Sequence, residues 1–291
     1  MSPESIFIDA QGLRIHVSAW GDPGKPVLFL LHGMRDHSRS WDWIAQEFAA
    51  DYRIYAPDLR GHGDTDWASR GAYTLPNFIL DLEDVATALG ANRFAIVGHS
   101  FGGAIGLRYT SVYPSKVTGF AGIECLELPT LREYRDTPKD YPERLRNWID
   151  RERHRRSRKP HIYASLAEAT ARMRAAYPEL PDETVAHLSS HAVIVDATAG
   201  WRWKYDNAAR IRAPEDDDGV DLDQMLDAIA CPVLLAYGTG SWVPIPPAER
   251  LARIARLSLI EFPDHSHSLH HTARSDFISA IRKFLFDLVE R

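Results

Sequence analysis

The sequence predicts an α/β protein, with a largely parallel sheet flanked by helices and interrupted by one long helical insertion. Three observations predict it. Short apolar runs rich in β-branched residues, at 26–31, 53–57, 94–99, 117–123, 231–238 and 258–262, alternate with segments of helical period, as in a parallel sheet buried on both faces. One run, Phe94-Ala95-Ile96-Val97, ends in Gly98-His99-Ser100-Phe101-Gly102-Gly103 and then becomes helical. From about residue 129 to 222 the alternation stops, and a stretch that long is not a structureless loop in a compact domain.

Taken in order, residues 5–9 and 13–20 alternate around Gln11-Gly12 and predict an antiparallel hairpin at the sheet edge. The buried strand at 26–31 runs into His32-Gly33-Met34-Arg35, where a glycine lets the backbone turn its next N–H toward the Ser100 region. The Met34 and Phe101 N–H groups are therefore the candidate oxyanion hole. Residues 38–49 predict a helix with Trp41, Ile44 and Phe48 on its core face. After the strand at 53–57, the loop Asp58-Leu59-Arg60-Gly61-His62-Gly63-Asp64-Thr65 carries turn chemistry, with Asp58 placed to bind nearby N–H groups and His62 structural. Residues 75–89 predict a helix with the stripe Phe78, Leu82, Val85, Leu89, closed by Gly90.

The turn at Ser100 follows. A strand-to-helix turn this sharp strains the serine backbone, Gly98 and Gly102 remove Cβ atoms that would block it, and the helix start aims N–H groups at any anion formed on the side chain. The strand at 117–123 ends in Glu124, a carboxylate at the edge where open α/β sheets bind ligands. Within the insertion, helices are predicted at 142–158, 165–176 and 181–190. Its basic run at 151–159 reads as a solvated face that meets the acidic run at 215–218, rather than as a nucleic-acid arm. Trp201, Trp203 and Tyr205 alternate with cations in a strand-like pattern and, with Trp242, are candidate pocket wall; core packing of the insertion is the competing reading. A strand at 231–238, a helix at 246–255 and a last strand at 258–262 complete the alternation. His265, His267, His270 and His271 then precede the terminal helix. Imidazoles cluster at metal sites, but this run has no cysteine partner and no companion ligand set, so neither a metal nor a cofactor is expected.

Composition bounds the rest. The chain has 291 residues, 45% of them hydrophobic, enough to bury a large core. A net charge of −6 gives no sign of nucleic-acid binding. No basic start precedes an apolar stretch, and the strongest apolar run is far too short to span a bilayer, so a cytoplasmic protein without a membrane partner is expected. The two cysteines, Cys125 and Cys231, lie at strand edges and read as inert core thiols.

His32-Gly33, Asp58-Leu59-Arg60-Gly61-His62-Gly63, Gly98-His99-Ser100-Phe101-Gly102-Gly103, an insertion, and histidines before a terminal helix together resemble the α/β-hydrolase superfamily. The resemblance covers most of the chain outside the insertion. It implies an eight-stranded, mostly parallel sheet, with residues 1–128 and 223–291 forming the core domain and 129–222 an inserted helical cap. It also implies a serine, acid and histidine in that chain order. Relatives that open epoxides or remove halide carry aspartate where Ser100 stands, and carbon–carbon hydrolases often carry asparagine where His99 stands; both reactions are therefore disfavoured. In one respect the chain departs. Many members end the penultimate strand in Gly-x-x-Asp, whereas this chain reads Gly238-Thr239-Gly240-Ser241.

The resulting expectation is a serine hydrolase acting on a small-molecule ester or lactone. Ser100 is the nucleophile, His267 the base by its register with the Phe277, Ile281, Phe284 face, and Glu124 the acid, a placement that some superfamily hydrolases share. A surface glutamate is the competing reading of Glu124. His265 is the rival base, and Glu127, Asp196, Asp206 and Asp264 are weaker rival acids. A non-catalytic ligand-binding relative, and an acyltransferase or carbon–carbon bond hydrolase using the same serine and histidine, remain the alternative functions.

Overall fold

The computed structural model describes residues 2–68, 72–126, 140–156, 159–196, 200–210 and 219–289. Its first two strands, β1 (Glu4–Ala10) and β2 (Leu13–Trp20), form the expected antiparallel edge, and β1 alternates exposed and buried side chains accordingly. The inner strands β3 (Val27–Leu31), β4 (Arg53–Pro57), β5 (Phe94–His99), β6 (Val117–Ile123) and β9 (Val233–Gly238) run parallel and are buried almost throughout; β10 (Leu257–Phe262) is the far edge. The eight strands lie in the order β1-β2-β4-β3-β5-β6-β9-β10.

That order fixes where a site can form. From β3 the chain steps outward to β4, then crosses back to β5 on the other side of β3, so the strand order reverses between β3 and β5. The crevice at the C-terminal ends of those strands is the binding position of open α/β sheets. Helices cover both faces. On one, α2 (Leu75–Ala88) and α3 (Ser100–Val112) bury Phe78, Leu82, Val85, Ile105 and Tyr109 against the sheet; on the other, α1 (Asp42–Phe48) and a C-terminal helix at Arg274–Val289 bury Ile44, Phe48, Phe277 and Ile281.

Two predicted helices are shorter than their sequence pattern suggests. The segment at 38–49 begins as a 3-10 turn, Ser38–Trp41, before α1. At 246–255 only Ala248–Leu251 is helical; none of its side chains is fully buried, and a single turn gains little from helix propagation.

Between β6 and β9 the described insertion holds α4 (Tyr141–Arg156), α5 (Leu166–Ala176), α6 (Asp182–Ala192) and the antiparallel pair β7 (Val193–Val195) and β8 (Trp201–Trp203). Ser165 caps α5, accepting the Glu168 N–H. The insertion is tied to loops at the C-terminal edge of the sheet. His37 Nε2 donates to the Leu188 carbonyl at 3.0 Å, Tyr73 donates to Asp206 at 2.7 Å, the Asp206 N–H donates to the Gly61 carbonyl at 2.7 Å, and Lys204 pairs with Asp64 at 2.7 Å. The chain returns through α7 (Gly219–Asp227), whose Leu226 joins the main core. The acidic run at 215–218 and Glu127 lie outside the described residues. No helix among the described residues is long and apolar enough to cross a membrane.

Candidate active site

Ser100 sits at the junction of β5 and α3 with φ +52°, left-handed backbone that a non-glycine residue adopts at a cost. Close packing holds it there. A Cβ on Gly102 would lie 2.3 Å from the His32 carbonyl oxygen, and one on Gly98 would lie 2.6 Å from the Gly103 Cα. The loop after β3 comes equally close, since a Cβ on Gly33 would stand 2.8 Å from His99 Nδ1 and 3.4 Å from Ser100 Cβ. Met34, half-buried, follows directly in that loop, and buried Phe101 opens the first turn of α3, braced edge-on against Phe78 at 4.9 Å. The two candidate N–H donors thus belong to segments that pack around Ser100.

The loop after β4 supports these segments. Asp58 is buried and accepts the Ser38 N–H at 2.6 Å, the Asp64 N–H at 2.9 Å and His16 Nδ1–H at 2.7 Å. Burial alone would raise its pKa, but the His16 bond and charge outweigh that and hold it well below the ordinary carboxylate range. Gly63, at φ +51°, makes this wrap possible, because a Cβ there would lie 2.1 Å from the Asp58 carboxylate carbon. Arg60 anchors the loop to α2 through two bonds of 2.6 Å to Asp81, and His62 Nδ1 donates to the Arg60 carbonyl at 3.0 Å, a structural role.

Glu124 is 0% exposed and has φ +45°, a second non-glycine residue in the left-handed region, at the tip of β6. Its N–H donates to the Ala236 carbonyl on β9 at 3.0 Å. Three donors converge on the carboxylate: the Gly238 N–H at 2.8 Å on Oε1, and the Ser241 hydroxyl at 2.5 Å and His267 Nδ1 at 2.6 Å on Oε2. A buried carboxylate needs this satisfaction, and it removes the reading of Glu124 as a surface residue.

His267 is also held from the opposite side. His99 Nε2 donates to the His267 carbonyl at 2.9 Å and the two rings are 4.6 Å apart, so the imidazole at 267 stands beside the residue that precedes Ser100. Burial and the neighbouring His267 keep His99 well below the usual histidine pKa, and hence neutral. Three rival groups are engaged elsewhere, His265 Nδ1 with Thr272 at 2.8 Å, Asp196 with Arg202 at 3.1 Å and Asp206 with Tyr73, while Asp264 is exposed at the surface.

The four candidate pocket aromatics differ in their surroundings, although the Trp203 and Tyr205 rings stack at 6.2 Å. Trp242 is exposed and its ring lies 4.9 Å from that of His267, while Tyr205 lies under the Arg35 guanidinium at 5.3 Å, beside the loop that carries Met34. Trp201 and Trp203 pack into the insertion's own cluster with Tyr163 and Val193, and Trp203 Nε1 donates to the Tyr163 hydroxyl at 3.0 Å. Two participants escaped sequence reasoning: Ser241 as a donor to Glu124, and His99 as the anchor of His267. Ser241 left one signal, its place in the slot where Gly-x-x-Asp would put the acid. Both cysteines are buried and free, and burial pushes Cys125 up to about 12 and Cys231 to about 11.

The family model described as the alpha/beta hydrolase family matches residues 28–280. The chain belongs to that family. Among curated proteins, this chain is 40% identical over 113 residues to an epoxide hydrolase 4 of Homo sapiens, which covers 38% of the chain and 31% of the relative, so the match spans about a third of that protein. It is 28% identical over 296 residues to a serine hydrolase-like protein of Dictyostelium discoideum, covering 95% of the chain and 79% of the relative. Among solved structures, a thioesterase domain from the curacin biosynthetic pathway superposes with a TM-score of 0.84 at 24% identity, covering 97% of this chain and 99% of that one, a likeness of fold.

Proposed function

We propose that this protein is a serine hydrolase that cleaves a small carboxylic ester or lactone through an acyl-enzyme. The observation that carries the reading is the 2.6 Å bond from His267 Nδ1 to a fully buried Glu124, on a histidine whose carbonyl is anchored to the residue before Ser100. With Nδ1–H committed to Glu124, Nε2 presents its lone pair and is the base. It takes the Ser100 proton as the hydroxyl attacks the carbonyl carbon, then returns it to the leaving alkoxide; water repeats the sequence on the acyl-enzyme. Glu124 fixes the tautomer and stabilises the imidazolium, and neutral His99 adds no repulsion to it. The Met34 and Phe101 N–H groups receive the oxyanion, aided by the start of α3.

The insertion acts as a cap over this site, and Tyr205 and Trp242 support a partly hydrophobic acyl or lactone group as the recognised portion. A serine nucleophile argues against epoxide opening despite the epoxide hydrolase relative: attack on an epoxide carbon would leave a stable ether on Ser100, with no carbonyl for the oxyanion donors to turn over. The non-catalytic alternative rested on a missing acid, and the bond between Glu124 and His267 speaks for the catalytic reading over it.

A fluorophosphonate probe tests the reading directly. The folded protein should form a covalent adduct on Ser100 and hydrolyse members of a panel of esters, lactones and thioesters, with both lost in Ser100→Ala. Absence of any adduct in folded protein would overturn it. Product analysis with competing alcohols separates hydrolysis from acyl transfer.

A further inference from the structure

Close to Ser100 lies a group of side chains that the proposed reaction does not use. Asp36, His99 and His270 each bring one potential ligand atom to within 4.8 Å of the others. His270 is 2% exposed, packed between the Trp41 ring at 5.2 Å and the His99 ring at 4.4 Å, and neither of its nitrogens has a hydrogen-bond partner. His99 Nδ1 is likewise buried and unpartnered. Native interiors seldom leave such groups unsatisfied, and each one calls for an explanation.

We propose that Asp36, His99 and His270 form a binding site for a divalent transition-metal ion of the zinc, cobalt or nickel class, one residue from the nucleophile. Two imidazoles and a carboxylate are the donor set such ions prefer, and three protein ligands leave a position for water. The tautomer of His99 is already set. Because its Nε2–H donates to the His267 carbonyl at 2.9 Å, Nδ1 carries the lone pair, the arrangement typical of a metal-bound histidine whose other nitrogen holds a backbone carbonyl. Burial also keeps both imidazoles unprotonated at neutral pH, so an ion displaces no proton from them. Asp36 is half-buried and uses only Oδ1 locally, accepting the His37 N–H at 2.9 Å. Tetrahedral ligands sit about 3.4 Å apart for bonds of about 2.1 Å, so ligand atoms within 4.8 Å of one another need to draw in by no more than about 1.4 Å.

Two other groups of similar composition are already satisfied. In the set Asp42, His187 and His191, Asp42 is held by Arg39 through bonds of 2.6, 2.8 and 3.0 Å, and His187 Nε2 bonds the Arg39 carbonyl at 3.0 Å. In the set His16, Asp58 and Asp64, both Asp58 oxygens have donors. The site at His99 has one further consequence, which rests on the serine-hydrolase reading. A dication one ring away from His267 opposes the positive charge that His267 acquires during turnover, so the bound ion inhibits.

The test uses the whole chain, stripped with EDTA and dialysed. Calorimetric titration with zinc chloride should show a step of one ion per chain, and cobalt(II) should give visible absorption bands. Both Asp36→Asn and His270→Gln, checked for folding by thermal melting, should weaken that step by more than about 100-fold and lose the bands, while His187→Gln keeps them. No such step in the unsubstituted protein, or a step unchanged in Asp36→Asn and His270→Gln, would overturn the site. Zinc should also slow fluorophosphonate labelling of Ser100, reversibly with EDTA. A protein that binds zinc here yet never labels, with or without EDTA, would refute the hydrolase reading and leave the metal site standing.

Discussion

The tips of β6 and β9 are neighbours in the sheet, with Ile123 beside Ala236, yet they carry different chemistry. At β6 the chain turns through a left-handed Glu124 whose carboxylate faces inward with three donors. At β9 the loop Gly238-Thr239-Gly240-Ser241 supplies two of those donors, the Gly238 N–H and the Ser241 hydroxyl, and no acid. Where the family resemblance puts an acid, at the end of β9, this chain has Ser241, and the carboxylate bonded to His267 comes from the tip of β6. The Ser241 position supplies a hydroxyl that donates to the Glu124 carboxylate. In the proposed triad the imidazole thus constrains where the carboxylate oxygen lies, and the chain is free to deliver it from either tip.

The largest expected effect removes the groups that both tips serve. Ser100→Ala and His267→Ala should each lower kcat by about 10⁶-fold, and the double variant should lose scarcely more, because nucleophile and base act as one unit. Steady-state kinetics on the best ester of the panel measures it; additive losses would mean the two do not work together. Glu124→Gln should follow at about 10⁴-fold, since a neutral amide no longer stabilises the imidazolium and can present the wrong tautomer partner. Activity within a few fold of the unsubstituted protein would take Glu124 out of the triad. Moving the acid back across the sheet tests the comparison itself. Glu124→Ala combined with Ser241→Asp should recover part of what Glu124→Ala loses, ending about 10² to 10³ below the unsubstituted protein. No recovery, in a double variant that melts normally, would mean that the two tips are not interchangeable.

How much of this was legible beforehand follows the same division. The strands and the turn at Ser100 were readable because apolar runs and glycine spacing are local signals. The eight-stranded architecture came with the family resemblance. Glu124 stood out because a carboxylate ending an apolar run is unusual. Its partners were not readable, since Ser241 lies 117 positions away and the His99 bond to His267 spans 168 positions, and only the fold brings such pairs together. The segment at 246–255 had helical period too, yet only Ala248–Leu251 is helical. Near the site, four histidines close together in sequence suggested no ligand set, because the companions of His270 are Asp36 and His99, far away along the chain.

The smallest predicted effect isolates what β9 still contributes. The Ser241 hydroxyl donates to Glu124 Oε2, the same oxygen that receives His267 Nδ1–H, and its own oxygen accepts the Val243 N–H at 3.1 Å. In Ser241→Ala the carboxylate keeps the Gly238 and His267 bonds but loses the donor that steadies the oxygen facing the imidazole. A hydrogen bond to a charged group is worth about 1.5–3 kcal/mol when fully counted, and the remaining donors recover part of that. The expected outcome is a fall in kcat of about 10-fold with KM nearly unchanged, because Ser241 reaches the substrate only through Glu124 and His267. Ser241→Thr keeps a hydroxyl and should restore most of the activity. A rise in KM with kcat intact would instead assign Ser241 to the pocket wall beside Trp242, and the vacated tip of β9 would then belong to substrate binding rather than to the acid.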